Sequence, residues 1–226
     1  MSKLVTYELK DSVATIGMDD GKVNALSLLM LTELRAAVDQ AADDGAVVLL
    51  TGREKYFSAG FDLRALTGGG SEAPAMLRAG FELAERLLSF PRPVVIACPG
   101  HAVAMGVFLL LSGDYRIGVD GPYRITANEV AIGLTMPTAA IEICRQRLAP
   151  AHFNRAVILA EVYSPVSAVD AGFLDRVVNA SELDDVAFAT AAGLAKLNMT
   201  AHAASKLRAR DQALKEIRAA IEAEFS

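Results

Sequence analysis

The stretch Pro99–Arg116 constrains the fold more than any other part of the chain. It begins with a Pro-Gly turn signal and continues into Val103–Leu111, which contains no charged or polar side chain. Such a run is too short to cross a bilayer and too uniformly apolar to form a surface helix. The stretch therefore predicts a short helix that is buried in the middle of a soluble domain.

Small residues at the start of this helix predict a place where negative charge can be held. Around Ala104, Met105 and Gly106 the first-turn N–H groups have no partner within the helix, and small neighbours let a ligand approach them closely. The N-terminus of a helix also favours an anion. A core helix in which the small residues serve only packing is the alternative explanation.

Composition excludes several classes of protein. The formal net charge is -5, there is no Trp, and only 6% of residues are aromatic, which argues against nucleic-acid binding. The first dozen residues lack a continuous apolar segment, so we expect no signal peptide and no membrane partner. Cys98 and Cys144 lie in apolar contexts and are expected to be reduced core residues, which favours a cytoplasmic location. The three histidines show no ligand spacing, and we predict no metal.

The order of apolar segments predicts an α/β fold. Alternating and continuous apolar runs predict strands, and a period of 3.6 residues predicts the helices between them. Residues 1–180 are expected to form the core, and residues 181–226 a helical region that covers the core or pairs with another subunit. The predicted strands include a hairpin at Leu4–Leu9 and Val13–Met18, buried strands at Ala46–Thr51 and Val94–Ala97, and further strands at Tyr115–Val119, Tyr123–Thr126 and Phe173–Val178.

Two turns of small residues predict an oxyanion hole. Ser58-Ala59-Gly60-Phe61 follows the first buried strand, and Ala104-Met105-Gly106 follows the second. Turns on neighbouring strands are able to direct two backbone N–H groups at one oxygen atom. Each such donor is worth roughly 2.7–4 kcal/mol in a transition state that carries an oxyanion.

Six stretches, in this order and spacing, resemble the crotonase superfamily, the enoyl-CoA hydratase/isomerase group. The resemblance covers Leu4 to about Val178. The matching stretches are KVNALS at Lys22–Ser27, FSAGFDL at Phe57–Leu63, PRPVVIACPGHA at Pro91–Ala102, SGDYRIG at Ser112–Gly118, ANEVAIGLTMP at Ala127–Pro137 and AVDAGFLDRVV at Ala168–Val178.

The resemblance implies repeated ββα units, a C-terminal helical region that supports a homotrimer or hexamer, and an acyl-CoA thioester as substrate with no separate cofactor. It places the thioester oxygen between the N–H groups of Phe61 and Met105. The family usually has Gly at the latter position, so the Met side chain has to lie away from the ligand. The substrate-binding positions implied are Ser58, Ala59, Gly60, Asp62, Leu63, Ala104, Gly106 and Phe108.

The departures from the hydratase pattern favour a different reaction. Hydratases of this family carry two catalytic glutamates, and here Phe108 stands at the first position and Glu129 at the second. Moving a double bond needs only one group that removes a proton at C2 and returns it at C4. We therefore predict an enoyl-CoA isomerase in which Glu129 is the proton shuttle. A hydratase with one carboxylate and a non-catalytic acyl-CoA binding protein are the alternatives, and a solvated loop carboxylate is the plain structural explanation of Glu129.

The remaining charged residues are assigned structural roles. Asp62 is expected to cap a helical turn, and Asp114 and Arg116 to pair or hydrogen-bond where the buried helix ends. Lys206, Arg208 and Arg210 are expected to form a solvated basic helix face, with contact to CoA phosphates as the alternative. Gly68-Gly69-Gly70-Ser71 predicts a solvated loop or a lid. The acyl chain that fits depends on how the Gly68–Leu88 region folds.

Overall fold

Four ββα units make up most of the protein. The computed structural model describes residues 3–68 and 72–225, and the end of the predicted Gly-rich loop lies outside them. In each unit one strand joins a large sheet, a shorter strand joins a second layer, and one or two helices follow. The strands are β1 (Val5–Lys10), β2 (Val13–Met18), β3 (Ala25–Leu26), β4 (Val47–Thr51), β5 (Lys55–Ser58), β6 (Gly60–Phe61), β7 (Val94–Cys98), β8 (Gly100–Val103), β9 (Tyr115–Val119), β10 (Ile125–Thr126) and β11 (Arg176–Val178).

Nine α-helices lie within the described residues. Ser27 caps the first helix through its side chain, which accepts from Met30 N–H. Short 3-10 turns occur at Val130–Ile132 and Ala180–Glu182. The helices are α1 (Leu28–Asp43), α2 (Leu63–Thr67), α3 (Glu72–Ser89), α4 (Met105–Leu111), α5 (Thr138–Arg147), α6 (Pro150–Val157), α7 (Pro165–Ala171), α8 (Leu183–Leu194) and α9 (Met199–Glu224).

The large sheet has the strand order β1-β2-β4-β7-β9-β11 and is parallel except for the β1–β2 hairpin. Its central strands bury both faces. Along β4, Val48 and Leu50 face one core cluster, while Val47 and Leu49 face a second cluster beneath α8. Burial on both sides explains why this strand is continuously apolar rather than alternating.

A small parallel sheet with the order β10-β8-β5 forms the second layer. The sequence did not indicate β5 or β8, because each is only four residues long and follows a large-sheet strand after a short turn. We expected Pro99-Gly100 to lead directly into the buried helix, but strand β8 comes first. The predicted helix is otherwise confirmed, since every residue of α4 is buried.

The two long C-terminal helices lie on different sides of the molecule. α8 covers the second face of the large sheet. α9 packs across α3 and α5, which are the helices that flank α4. Leu214, Ile217 and Ile221 of α9 belong to the same hydrophobic core as α4.

Asp114 and Arg116 make structural contacts near the end of the buried helix, as predicted, although not with each other. Arg116 forms a bidentate pair with Asp175 at 2.8 Å, and Asp114 binds Lys206 and Arg210. The prediction that Lys206 and Arg210 form a solvated face was wrong. Lys206 and Arg210 are buried rather than solvated, because α9 presses them onto the end of α4. This position also removes them from the surface that a CoA phosphate would contact.

Candidate active site

The small sheet brings the predicted site residues to one edge. β5 ends at Ser58, β8 at Val103 and β10 at Thr126, and the three strands are parallel neighbours. The carboxyl ends of neighbouring parallel strands meet at the same edge of a sheet. The turn that contains Phe61, the turn that contains Met105, and the loop that contains Glu129 therefore all begin at this edge.

The turn after β5 is held in place by a buried asparagine. Asn24 Nδ2 donates to the carbonyl oxygens of Met18 at 3.0 Å and Phe57 at 3.2 Å. Ser58 Oγ donates to the Asn24 carbonyl at 2.7 Å and accepts from Gly60 N–H at 3.1 Å. The Ser58 hydroxyl is thus occupied within the protein, and it shapes the turn. Sequence reasoning missed Asn24, although it lies inside the KVNALS stretch that carried part of the resemblance.

The two turns touch each other at Gly60. The φ angle of Gly60 is +91°, a conformation that side chains other than Gly rarely adopt. A Cβ atom there would lie 2.8 Å from Ala104 Cβ and 3.3 Å from Met105 N. The absence of a side chain therefore allows the Met105 N–H to approach the turn that ends at Phe61.

The start of α4 leaves its first N–H groups available. Ala104 caps the helix without a side-chain hydrogen bond and has φ 51° and ψ -128°. This strained backbone orients the first peptide of α4, and the first N–H groups of a helix have no acceptor within the helix. Gly106 packs directly on the preceding turn, since a Cβ atom there would lie 2.5 Å from the Ser58 carbonyl oxygen.

The Met105 side chain lies away from the proposed ligand position, as the resemblance requires. It is completely buried, and its Cγ lies 3.5 Å from the position that a Cβ atom would take on Gly80 of α3. The side chain therefore packs into the core between α4 and α3. Its larger size compared with Gly does not occupy the space in front of the Met105 N–H.

Glu129 is a buried carboxyl group with an unsatisfied oxygen. Only 7% of the residue is exposed, and among the described residues no group hydrogen-bonds its Oε2. Burial raises the pKa of Glu129 to about 7, opposed by a hydrogen bond from its own backbone. A solvated loop carboxylate is excluded. The residues that follow Glu129, Val130–Ile132, are exposed. Burial, and then the nearby Glu129 carboxylate, raise the pKa of the Cys144 thiol, which places Glu129 close to that core residue.

Hydrogen bonds fix the Glu129 loop relative to α4. Ala104 N–H donates to the Thr126 carbonyl at 3.1 Å, which ties the end of β10 to the start of the helix. Leu134 N–H donates to the Glu129 carbonyl at 2.9 Å and closes the loop. The carboxyl group is thus placed by backbone contacts three residues beyond the strand end.

The other predicted positions divide into caps, packing residues and exposed residues. Asp62 accepts from Arg64 N–H at 2.9 Å and caps α2, as expected. Leu63 begins α2 and is largely exposed, and Ala59 is also exposed, so both are accessible from solvent. Phe108 is fully buried and stacks on Phe81 of α3, with 6.2 Å between ring centroids. Within residues 3–68 and 72–225, no three His, Cys, Asp or Glu side chains are grouped in a way that could hold a metal ion.

A mixed sheet of ββα units and a strand-end edge with two backbone donors and one buried carboxyl define a protein of the crotonase superfamily. A model of the enoyl-CoA hydratase/isomerase family matches residues 8–225. The chain belongs to that family.

Relatives with both activities in their names are similar to this chain. It is 31% identical over 198 residues to the human mitochondrial enoyl-CoA delta isomerase 1, covering 84% of this chain and 64% of that protein. It is 30% identical over 171 residues to a probable enoyl-CoA hydratase, EchA17, of Mycobacterium avium, covering 74% and 66%. A structure named as an enoyl-CoA isomerase of Mycobacterium tuberculosis is 49% identical with a TM-score of 0.95, covering 100% of both chains, and a second structure of that protein is named a probable enoyl-CoA hydratase. The chain spans about two thirds of the length of the two sequence relatives.

Proposed function

We propose that the protein moves the double bond of a 3-enoyl-CoA thioester to the 2,3 position. The observation that carries this proposal is one buried carboxyl, Glu129, whose Oε2 has no hydrogen-bond partner among the described residues. It is combined with an uncharged ring, Phe108, at the position where hydratases of the family hold a second glutamate. Hydration needs one group to activate water and another to protonate the α-carbon. Isomerisation needs a single shuttle.

The proposed reaction begins at C2 of the acyl group. The thioester oxygen accepts hydrogen bonds from the N–H groups of Phe61 and Met105. The Glu129 carboxylate removes a proton from C2, and the electrons of that C–H bond flow toward the oxygen to form a dienolate. The carbonyl then re-forms, the C2–C3 bond becomes double, and C4 takes the proton back from Glu129. Atoms and charge balance with no further reactant.

The electrostatics of the site suit both the removal of the C2 proton and its return to C4. A carboxyl with a pKa near 7 is partly ionised at neutral pH and returns its proton readily. Backbone donors fixed by Gly60 and Ala104 need no reorganisation when negative charge develops on the oxygen. In our proposal the coenzyme A thioester is the substrate, and the chemistry calls on no separate cofactor.

The two alternative functions, a hydratase and a non-catalytic acyl-CoA binding protein, would use the same residues differently. The relatives include proteins named as hydratases, and Glu129 alone would have to serve both proton transfers in that reaction. A binding protein without turnover needs the backbone donors but no buried carboxyl with a raised pKa. The cost of burying Glu129 without a partner favours catalysis over binding alone.

One further proposal concerns the location of the protein. We place the protein in the cytoplasm, in keeping with free, buried thiols at Cys98 and Cys144. No helix in the described part of the chain has the length and apolarity needed to cross a membrane.

Product analysis with the two substrate classes offered separately tests the proposal. A 3-enoyl-CoA should be converted to the conjugated 2-enoyl-CoA, and a 2-enoyl-CoA should give little 3-hydroxyacyl-CoA. Efficient hydration would support the hydratase instead. Tight binding of both thioesters without turnover of either would support the binding protein.

A further inference from the structure

Four phenylalanine rings connect the candidate oxyanion hole to the C-terminus. Phe81 of α3 is the hub: its ring centroid lies 6.3 Å from Phe61, 6.2 Å from Phe108 and 5.2 Å from Phe225. The Phe81 and Phe225 rings are nearly parallel, with an interplanar angle of 7°. We call these residues, Phe61, Phe81, Phe108 and Phe225, the aromatic wall.

The wall lies directly against the candidate oxyanion hole, because the Phe61 ring is part of the wall. Phe61 and Met105 supply the two proposed donors, and Phe108 lies one helical turn beyond Met105 on the same face of α4. Gly80 lets the Phe61 ring reach α3, since a Cβ atom there would lie 2.6 Å from that ring. Phe81 and Phe108 are each only 1% exposed, so the rings leave little open volume between α3 and α4.

Polar contacts anchor the end of α9 that carries Phe225. Glu224 accepts from Thr138 N–H at 3.2 Å, at the start of α5. Glu222 binds Arg78 of α3 at 2.5 Å. The last turn of α9 is therefore attached to both helices that flank α4. Phe225 is only partly buried, which makes it the member of the wall that a ligand is able to displace most easily.

We propose that the aromatic wall ends the acyl pocket and restricts the enzyme to short acyl chains, with Phe81 and Phe225 as the residues that set the limit. This inference rests on the proposed function, because it takes the thioester to lie at Phe61 and Met105. A longer chain has to displace Phe225 or leave its last methylenes in water, and each exposed methylene costs about 0.8 kcal/mol, or about fourfold in binding.

Chain-length profiles test this inference. We would measure kcat/KM for four-, six-, eight- and ten-carbon 3-enoyl-CoA thioesters with the wild type, Phe225→Ala and Phe81→Leu. The wild-type value should fall from four to ten carbons, and each variant should raise the ten- to four-carbon ratio by on the order of tenfold. Phe81→Leu keeps most of the core volume, so this variant should fold even where a smaller side chain at position 81 would prevent folding. Phe188→Ala, a partly buried ring on α8, is the matched control and should leave the profile unchanged.

Calorimetric binding of saturated acyl-CoA thioesters separates this inference from the proposed function. Failure of every chain length to bind would contradict the acyl-CoA site itself. Equal binding of short and long chains by the wild type would overturn the chain-length limit while leaving the acyl-CoA site intact. Variant profiles parallel to the wild type would also overturn it.

Discussion

At the scale of single residues, the chemistry depends on one side chain whose environment opposes its charge. Glu129 has a buried Oε2 with no partner in the described part of the chain, and this burial raises its pKa to about 7. Neighbouring residues position the backbone rather than react: Asn24 and Ser58 hold one donor turn in place, and Ala104 orients the other. The sequence predicted Glu129 as the proton shuttle, while the burial of its side chain became visible only in three dimensions.

The raised pKa predicts how the rate depends on pH. The base form of Glu129 is the ionised form, and its population rises with pH until the pKa of about 7 is passed. We expect kcat/KM for isomerisation to increase about tenfold per unit below that value and to level off above it. A pH–rate series from pH 5 to 9 measures this directly. A profile that is flat across pH 5 to 8 would show that this carboxyl is not the base.

At the scale of elements, α4 is held at both ends. Its start is set by β8 and β10, and its end by Asp114, which binds Lys206 Nζ at 2.7 Å and Arg210 Nη2 at 2.9 Å. Val94 N–H also donates to Asp114 at 2.8 Å. The position of α9 on the site side of the molecule therefore depends on a buried carboxylate that carries two cations.

Removing that carboxylate should destabilise the protein. Asp114→Asn leaves Lys206 and Arg210 buried without their anion, and we expect the free energy of unfolding to fall by about 3–5 kcal/mol. Urea denaturation measures the loss. Asp211→Asn, on α9 like Lys206 and Arg210, breaks an exposed pair with Lys215 and should lower the free energy of unfolding by less than about 1 kcal/mol. Similar losses in the two variants would contradict a structural role for the buried group.

Elements with a clear apolar pattern could be predicted from the sequence, and some short ones could not. The hairpin follows from alternation, and α4 and the central strands follow from continuous apolar runs. β10 lies within the predicted strand Tyr123–Thr126, whereas β8 is only four residues long and was not predicted, yet the two carry the donor turn and the Glu129 loop to a common edge. The pairing of Lys206 and Arg210 with Asp114 was equally invisible, because it joins residues about 90 positions apart.

At the scale of the whole molecule, an apolar surface lies beside the site. Leu159 is 71% exposed, and the other large exposed apolar residues of this surface lie on two segments that contact β10. Thr126 Oγ1 donates to the Ala160 carbonyl at 3.5 Å, and Ile125 pairs with Tyr163, so segment 158–166 is fixed to the small sheet, while segment 130–134 follows β10 along the chain. The surface consists of Val130, Ile132, Leu134, Ile158, Leu159, Val162 and Val166.

We propose that this surface is covered by a second copy of the chain in a homotrimer or a dimer of trimers. Exposed apolar area of this kind is typical of interaction sites. Sedimentation equilibrium should give a mass of three or six times the 23.9 kDa of one chain. Leu159→Glu should shift the mass toward the single chain, while Leu9→Glu, on the exposed edge of β1, should not. A stable monomer of the wild type at micromolar concentration would contradict the assembly.

The turnover of the Glu129→Gln variant tests the central claim most directly. Gln keeps the size and hydrogen-bonding capacity of the side chain but cannot accept the C2 proton, so isomerisation of 3-enoyl-CoA should fall by on the order of 10²–10⁴. Binding of acyl-CoA should persist, because both oxyanion donors belong to the backbone. Glu142→Gln on α5, the same change at a carboxylate paired with Arg145, should retain wild-type turnover. Unchanged isomerisation by the Glu129→Gln protein would contradict the single-carboxylate mechanism.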